Sequence, residues 1–331
     1  MNKQMDELNV AIDAVRKAGE LCQSVQAALV SESTLAKKDK SPVTVADFGA
    51  QALIIAALRE SLGDVRIMAE ENADELRLPE NETLRKMVVE QVQGIHDGLD
   101  EQSILSLIDH GGDEGGEHGV FWTLDPIDGT KGFLRGGQYA LALARIENGN
   151  ITIGVLGCPN LPVDLHQSQS ETGCLLYAVR SQGATMEGWT SRQRQAVETA
   201  PTVDVSEAIL CESVESGHSA HDDSKKLMEH LNIQREPLRM DSQCKYAAVA
   251  RGDATLYLRF PTRSDYQEKV WDHAAGSIVI QEAGGNVCDI DGRPLDFTQG
   301  RTLAQNRGII ATNGALQMDV IDAVRQILDY A

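Results

Sequence analysis

Residues 120–124 (VFWTL) read as a buried strand, and the chain leaves them directly into Asp125-Pro126-Ile127-Asp128-Gly129-Thr130. Two carboxylates separated by a proline and an isoleucine must therefore emerge where that strand ends. Pro126 sets a bend, so Asp125 and Asp128 can converge on one face, and the Ile127 carbonyl is left as a further hard oxygen ligand. Gly129 allows close approach, and the Gly129 and Thr130 amides, if they open a helix, form a nest for an anion beside a bound cation. Taken alone, the same residues also fit a type I turn, because Asp, Pro and Gly are the usual turn residues.

The apolar run 65–69 (VRIMA) ends in the same way, in Glu70-Glu71, so a second pair of acids sits where a buried strand emerges. Upstream, Leu8, Ile12, Val15, Leu21, Val25 and Leu29 recur at helical spacing and predict an amphipathic helix over 8–29. A second helix is expected to run from a Thr44 cap to about Ser61, with Asp47 in its first turn, where anions gather. Residues 72–118 are less regular, with a helix near 84–92 and a glycine- and acid-rich 111–119, and read as an excursion or lid between core strands. Strands over 139–146 and 151–156 are joined at Asn148-Gly149, a hairpin signal. Further strands are expected at 175–179, 209–211, 254–260 and 308–311, with helices at 224–230 and 316–328. Trp271-Asp272-His273 opens another helix, closed by Gly284-Gly285.

Composition narrows the function. The 331 residues are 42% hydrophobic and 24% charged, which suits a fully folded globular enzyme. With 30 basic and 50 acidic residues the net charge is −20, so neither nucleic acid nor an anionic membrane is an expected partner. An anionic small molecule requires the field to be reversed locally, which divalent cations held by carboxylates accomplish. Cys22, Cys158, Cys174, Cys211, Cys244 and Cys288 form no C-x-x-C pair, the first residues carry acids rather than a signal-like apolar stretch, and no run could span a bilayer. A cytoplasmic monomer acting on a small molecule is expected.

Four motifs, taken in chain order, resemble the metal-binding set of the inositol monophosphatase superfamily. They are Ser41-Pro42-Val43-Thr44-Val45-Ala46-Asp47, Ala69-Glu70-Glu71, Trp122 through Thr130, and Trp271-Asp272-His273-Ala274-Ala275-Gly276. The stretches 130–138, 215–222, 241–246 and 264–272 narrow the resemblance to the 3′(2′),5′-bisphosphate nucleotidases, and the likeness runs from about Ser41 to Ala311 outside 72–118. The resemblance implies an α/β (α+β) layered αβαβα sandwich whose two lobes, placed at 1–157 and 158–331, share one active site. It further implies Mg²⁺-dependent, Li⁺-sensitive hydrolysis of the 3′-phosphate of adenosine 3′,5′-bisphosphate to AMP, with 3′-phosphoadenylyl sulfate as a second substrate. Carried over by motif, Glu70, Asp125 and the Ile127 carbonyl bind one Mg²⁺, Asp125, Asp128 and Asp272 a second, and Glu70 touches a third. Asp47 and Thr130 become the base pair, with Gly129 and Thr130 against the reacting phosphate. Ser242, Lys245 and Arg259 fall on the second phosphate and His218 on the adenine.

Two rivals stand beside this reading. The same fold could act on an inositol mono- or polyphosphate, which would not need Ser242, Lys245, Arg259 and His218 together. A non-catalytic acidic sensor of divalent cations or nucleotide would be expected to lack a metal carboxylate or Thr130, and this chain keeps them all.

Overall fold

In the computed structural model, which describes residues 3–31, 41–214, 221–261, 263 and 265–328, the first apolar-striped segments form helices α1 (Lys3–Ser31) and α2 (Ser41–Leu62). The second helix begins ahead of the expected Thr44 cap. Proline is tolerated in the first turn of a helix, where its missing N–H has no partner to lose, so Pro42 does not delay the start. Asp47 therefore sits in the second turn rather than the first.

The chain continues through β1 (Ile67–Ala69), α3 (Glu82–Ile95), α4 (Glu101–Asp109), β2 (Val120–Asp128), the short α5 (Thr130–Leu134), β3 (Ala140–Glu147), β4 (Asn150–Pro162), β5 (Thr172–Val179), β6 (Ala184–Gly188) and β7 (Arg194–Val197). These strands form one seven-stranded sheet in chain order, antiparallel except for the parallel β1–β2 pair. Asn148 and Gly149 both take positive φ (48° and 74°), the two-residue turn that an Asn-Gly step favours. The expected lobe boundary at 157/158 lies inside β4, and the first sheet extends to Val197. Residues 72–118 contribute α3 and α4, whose Val88, Val92, Ile104, Leu105 and Ile108 pack into the core beside α1 and α2.

The second half supplies β8 (Leu210–Glu212), α6 (His221–His230), β9 (Leu238–Arg239), α7 (Cys244–Ala250), β10 (Leu256–Arg259), α8 (Ala274–Glu282), β11 (Asn286–Cys288), β12 (Ile309–Thr312) and α9 (Gln317–Ile327). Its five strands are ordered β11-β12-β10-β8-β9. Helices α1 and α2 cover one face of the first sheet, α7 and α8 lie between the two sheets, and α9 with α6 covers the outer face of the second, giving the αβαβα layering.

Strand alternation shows why the layers form. In β3, Leu141 and Leu143 point toward α1 and α2, while Ala140, Ala142 and Ala144 point toward α7 and α8. The small residues let α8 come close: a Cβ on Gly154 would lie 2.3 Å from an Ile278 methyl. Buried on all sides, α7 (CKYAAVA) and most of α8 (AAGSIVIQE) lack a polar stripe. Among the described residues no helix is long and apolar enough to cross a membrane, and all six cysteines are buried and free.

Candidate active site

The site begins with the register of two parallel strands. Ile67 pairs with Trp122 and Ala69 with Leu124, so β1 and β2 bring Glu70 and Asp125 out at the same sheet end, where the Glu70 N–H donates to the Leu124 carbonyl (3.3 Å). Asp125 shares strand parity with Phe121 and so faces the α7–α8 layer. The strand was expected to stop at Leu124, yet it runs through Pro126 to Asp128. Asp125 pairs with Ala142 and Asp128 with Ala140, which leaves β2 one extra residue between them. A proline cannot donate to the ladder, so the bulge forms there and turns both carboxylates toward the cavity, and the type I turn is not formed.

Beyond the bulge the backbone reverses at Gly129 (φ 91°) and enters α5 at Thr130. A Cβ on Gly129 would lie 2.8 Å from the Ser242 Cβ, so glycine is required by both backbone and space. Ser242 itself takes φ 65°, a left-handed conformation that a serine holds only when its surroundings impose it. The result is a tight approach of two loops, one from each sheet. The Gln243 N–H donates to Asp128 Oδ2 (2.5 Å), and the Cys244 N–H donates to the Ser242 hydroxyl (3.1 Å).

Glu70, Asp125, Ile127, Asp128, Gly129, Thr130, Ser242, Lys245, Arg259 and Asp272 line one cavity of about 230 Å³, joined by Lys131, Gly132, Ser213, Asp241 and Tyr266. Asp47 lies behind this lining. It is buried, and its carboxyl is pushed well above the usual range first by burial and then by the charges of Glu71 and Glu70. One helical turn on, Gln51 clamps the backbone of Glu71: its amide donates to the Glu71 carbonyl (2.7 Å) and accepts from the Glu71 N–H (3.1 Å). His218 lies outside the described residues.

Three carboxylates at the sheet end, Glu70, Asp125 and Asp128, meet Asp272 from the turn before α8. Burial raises Asp125 well above its ordinary value, and the charges of Glu70, Asp128 and Asp272 raise it further. Glu70 opens onto the cavity and is pushed up to about 8 by desolvation and then by Asp272, Glu71 and Asp128. Burial also raises Asp272, to about 6, against the pull of Arg259 and His273. Asp125 Oδ1 is buried without a hydrogen-bond partner. A crowd of hard oxygen donors that cannot all ionise together, with an orphaned buried oxygen at its centre, fits divalent cations.

The opposite wall is cationic. Lys245 is 5% exposed and Arg259 half-buried, so neither is a solvated surface charge. Arg259 is paired with Glu268, which also meets His273. Glu268, Asp272 and His273 place ligand atoms within 4.8 Å of one another, the arrangement of a metal cluster, but Arg259 already supplies its positive charge. A second cavity of about 630 Å³ shares Tyr266 and carries Arg293, Arg307 and Arg325, yet Asp265 and Asp291 line it too, and Arg293 and Arg325 pair with Asp291 and Asp322.

Sequence reasoning missed the groups that bind the two halves together. The Gln243 amide donates to the Trp271 carbonyl (2.9 Å) and accepts from the Gly276 N–H (3.1 Å), so one residue ties Asp128 to the turn that carries Asp272. Arg301 donates to the Ala69 carbonyl (2.6 Å) and lies over Trp271 (4.7 Å), next to Glu70 on one side and Asp272 on the other. Gln243 lies within a motif visible in the sequence, whereas nothing around Arg301 distinguishes it from a surface arginine.

The inositol monophosphatase family model matches residues 3–329. The chain is 44% identical to the 3′(2′),5′-bisphosphate nucleotidase of Emericella nidulans, over 90% of this chain and 92% of that protein. It is 42% identical to the protein of the same description in Schizosaccharomyces pombe, over 97% of this chain and 95% of the other. An inositol monophosphatase structure from Anabaena (Nostoc) sp. PCC 7120 superposes with a TM-score of 0.63 at 20% identity, covering 98% of this chain and 97% of that one, a likeness of fold.

Proposed function

Because this chain belongs to the inositol monophosphatase family, on its 3′(2′),5′-bisphosphate nucleotidase branch, we propose that it hydrolyses the 3′-phosphate of adenosine 3′,5′-bisphosphate to give AMP and phosphate. The observation that carries this reading is a single cavity with a carboxylate end and a cationic end, one for each phosphate of the substrate. The family is generally Mg²⁺-dependent, and two or three ions would be held by Glu70, Asp125, the Ile127 carbonyl, Asp128 and Asp272. Bound there, Mg²⁺ would supply charge neutralisation for the phosphoryl oxygens, a more acidic water and support for the leaving oxygen.

The chain's own groups do the remainder. Thr130, exposed at the start of α5, receives the proton of the attacking water and passes it to Asp47, whose raised carboxyl is suited to accept it. The Gly129 and Thr130 amides hold the reacting phosphate. Lys245 and Arg259 bind the second phosphate as cations and Ser242 donates a hydrogen bond, while His218 contacts the adenine. 3′-Phosphoadenylyl sulfate, which carries the same 3′-phosphate, is a second substrate. The protein acts as a cytoplasmic monomer on a small molecule, and its six free, buried cysteines suit a reducing compartment.

Phosphate release measured with Mg²⁺ on adenosine 3′,5′-bisphosphate, inositol 1-phosphate and inositol 1,4-bisphosphate tests the assignment. The nucleotide should lead in kcat/KM, and a more than tenfold preference for either inositol compound would overturn it.

A further inference from the structure

Arg259 is held by a buried chain of side chains. Its Nε and Nη2 meet the two oxygens of Glu268, each at 3.0 Å, so the guanidinium is gripped along one edge. Glu268 Oε2 also lies 3.0 Å from His273 Nε2, and His273 Nδ1 lies 2.8 Å from the Tyr246 hydroxyl. A carboxylate only accepts, so His273 donates from Nε2, which leaves Nδ1 to bond the Tyr246 hydroxyl. Every link is buried: Glu268 is 3% exposed, Tyr246 1% and His273 not at all. Helix α8 locks the far end, since a Cβ on Gly276 would lie 2.3 Å from the Tyr246 ring. Burial alone would raise the Glu268 carboxyl, yet His273 and Arg259 hold it below its ordinary value.

We propose that Glu268 is a positioning residue that sets the preference for a doubly phosphorylated substrate, by fixing Arg259 so that its remaining Nη1 donors face the cavity. This rests on the bisphosphate reading above. With Glu268 taking the Nε–Nη2 edge, Arg259 stays an anchor for an anion in the cavity it lines. Without that grip Nη2 keeps only its bond to the Tyr266 hydroxyl (3.2 Å), and the nearest other carboxylate is Asp272, whose Oδ2 is 3.9 Å from Nη2. The guanidinium would then pair with a carboxylate of the protein and be withdrawn from the ligand.

The test is Glu268→Gln assayed on adenosine 3′,5′-bisphosphate and on adenosine 3′-monophosphate, which lacks the second phosphate, with calorimetric binding of AMP beside adenosine. The variant should lose about tenfold or more of the wild type's preference for the bisphosphate, mainly through KM, and bind AMP more weakly by a similar factor. Tyr246→Phe, which removes only the last link, should shift the same ratio in the same direction by less, and it carries the test if the first variant fails to fold. Equal losses on both substrates with unchanged AMP affinity would overturn the proposal, as would a Tyr246→Phe enzyme with an unaltered ratio. A wild type that does not distinguish the two substrates removes the bisphosphate reading itself, and this proposal with it.

Discussion

The two ends of the cavity are built by opposite strategies. At the end of β1 and β2 the chain concentrates like charges: burial raises Glu70, Asp125, Asp128 and Asp272, neighbouring carboxylates raise Glu70, Asp125 and Asp272 further, and Asp125 keeps a buried oxygen without a partner. Around β10 and α8 the chain satisfies its charges internally, through Arg259, Glu268, His273 and Tyr246. The first end leaves its oxygens crowded and unsatisfied, whereas the second pairs its charges within the protein, as the proposed cation and anion roles require. A binding site for cations has to leave oxygen unsatisfied, and a binding site for a phosphate has to keep its arginine from drifting to the nearest carboxylate.

Asp125→Asn should break the first end outright. Mg²⁺-dependent phosphate release is expected to fall by about 10³-fold or more on every substrate, because this carboxylate serves two ion positions in the proposed set. The metal-free variant should melt no lower than the wild type, since one repelling buried charge is gone. A turnover within about tenfold of wild type would remove the carboxylate end from the mechanism.

Lys245→Met should separate the ends. The KM for the bisphosphate is expected to rise by about ten- to a hundredfold, while the accompanying change on adenosine 3′-monophosphate is much smaller. Parallel losses on both substrates would show that the cationic wall serves the chemistry rather than the second phosphate.

Gln243→Ala probes the joint between the ends. It keeps the backbone N–H on Asp128 but cuts the amide's bonds to Trp271 and Gly276, so Asp272 loses its alignment with Asp128. Apparent Mg²⁺ affinity, read from titrations of activity and of calorimetric heat, should fall by about ten- to a hundredfold. Unchanged Mg²⁺ affinity would mean that the turn before α8 is held by other contacts.

The smallest effect is on stability. Carboxylates whose folded pKa is raised contribute stability that is fully present below the unfolded value and is lost as pH rises through the folded one. Asp272 rises to about 6 and Glu70 to about 8, so the metal-free protein should melt progressively lower between about pH 4 and pH 8. Saturating Mg²⁺ should remove most of that slope and release protons on binding near pH 7. A melting temperature that climbs over this range without metal would contradict the crowding of carboxylates at the first end.

Much of the first end was legible because its signals are local. An apolar run that stops in acid, a proline between two aspartates and a glycine after them place Asp125, Asp128 and Gly129 at a strand end before any fold is known. The bulge was not legible, because Asp-Pro-Ile-Asp-Gly suits a turn equally well and only pairing with β3 decides between them. Likewise Asp47 was expected in a first turn and lies in the second, since proline near a helix start marks the boundary only loosely. At the second end Ser242, Lys245 and Arg259 could be named from their motifs, but the grip of Glu268, the span of Gln243 and the clamp of Arg301 could not. Gln243 and Arg301 join residues far apart in the chain, as Arg301 joins Ala69 to Trp271, and Glu268 reaches Arg259 and His273 across a turn whose path only the fold sets.

By itself the sequence determined many of the elements, the acid-tipped strands and the helix closed by Gly284-Gly285, because periodicity and turn chemistry act within a few residues. Only the tertiary structure decided which carboxylates share a cavity, which arginine is held and by what, and where one sheet ends. The β1–β2 register, the extra residue in β2 and the approach of Ser242 to Gly129 are properties of pairs of segments, and their energies exist only once both partners are in place.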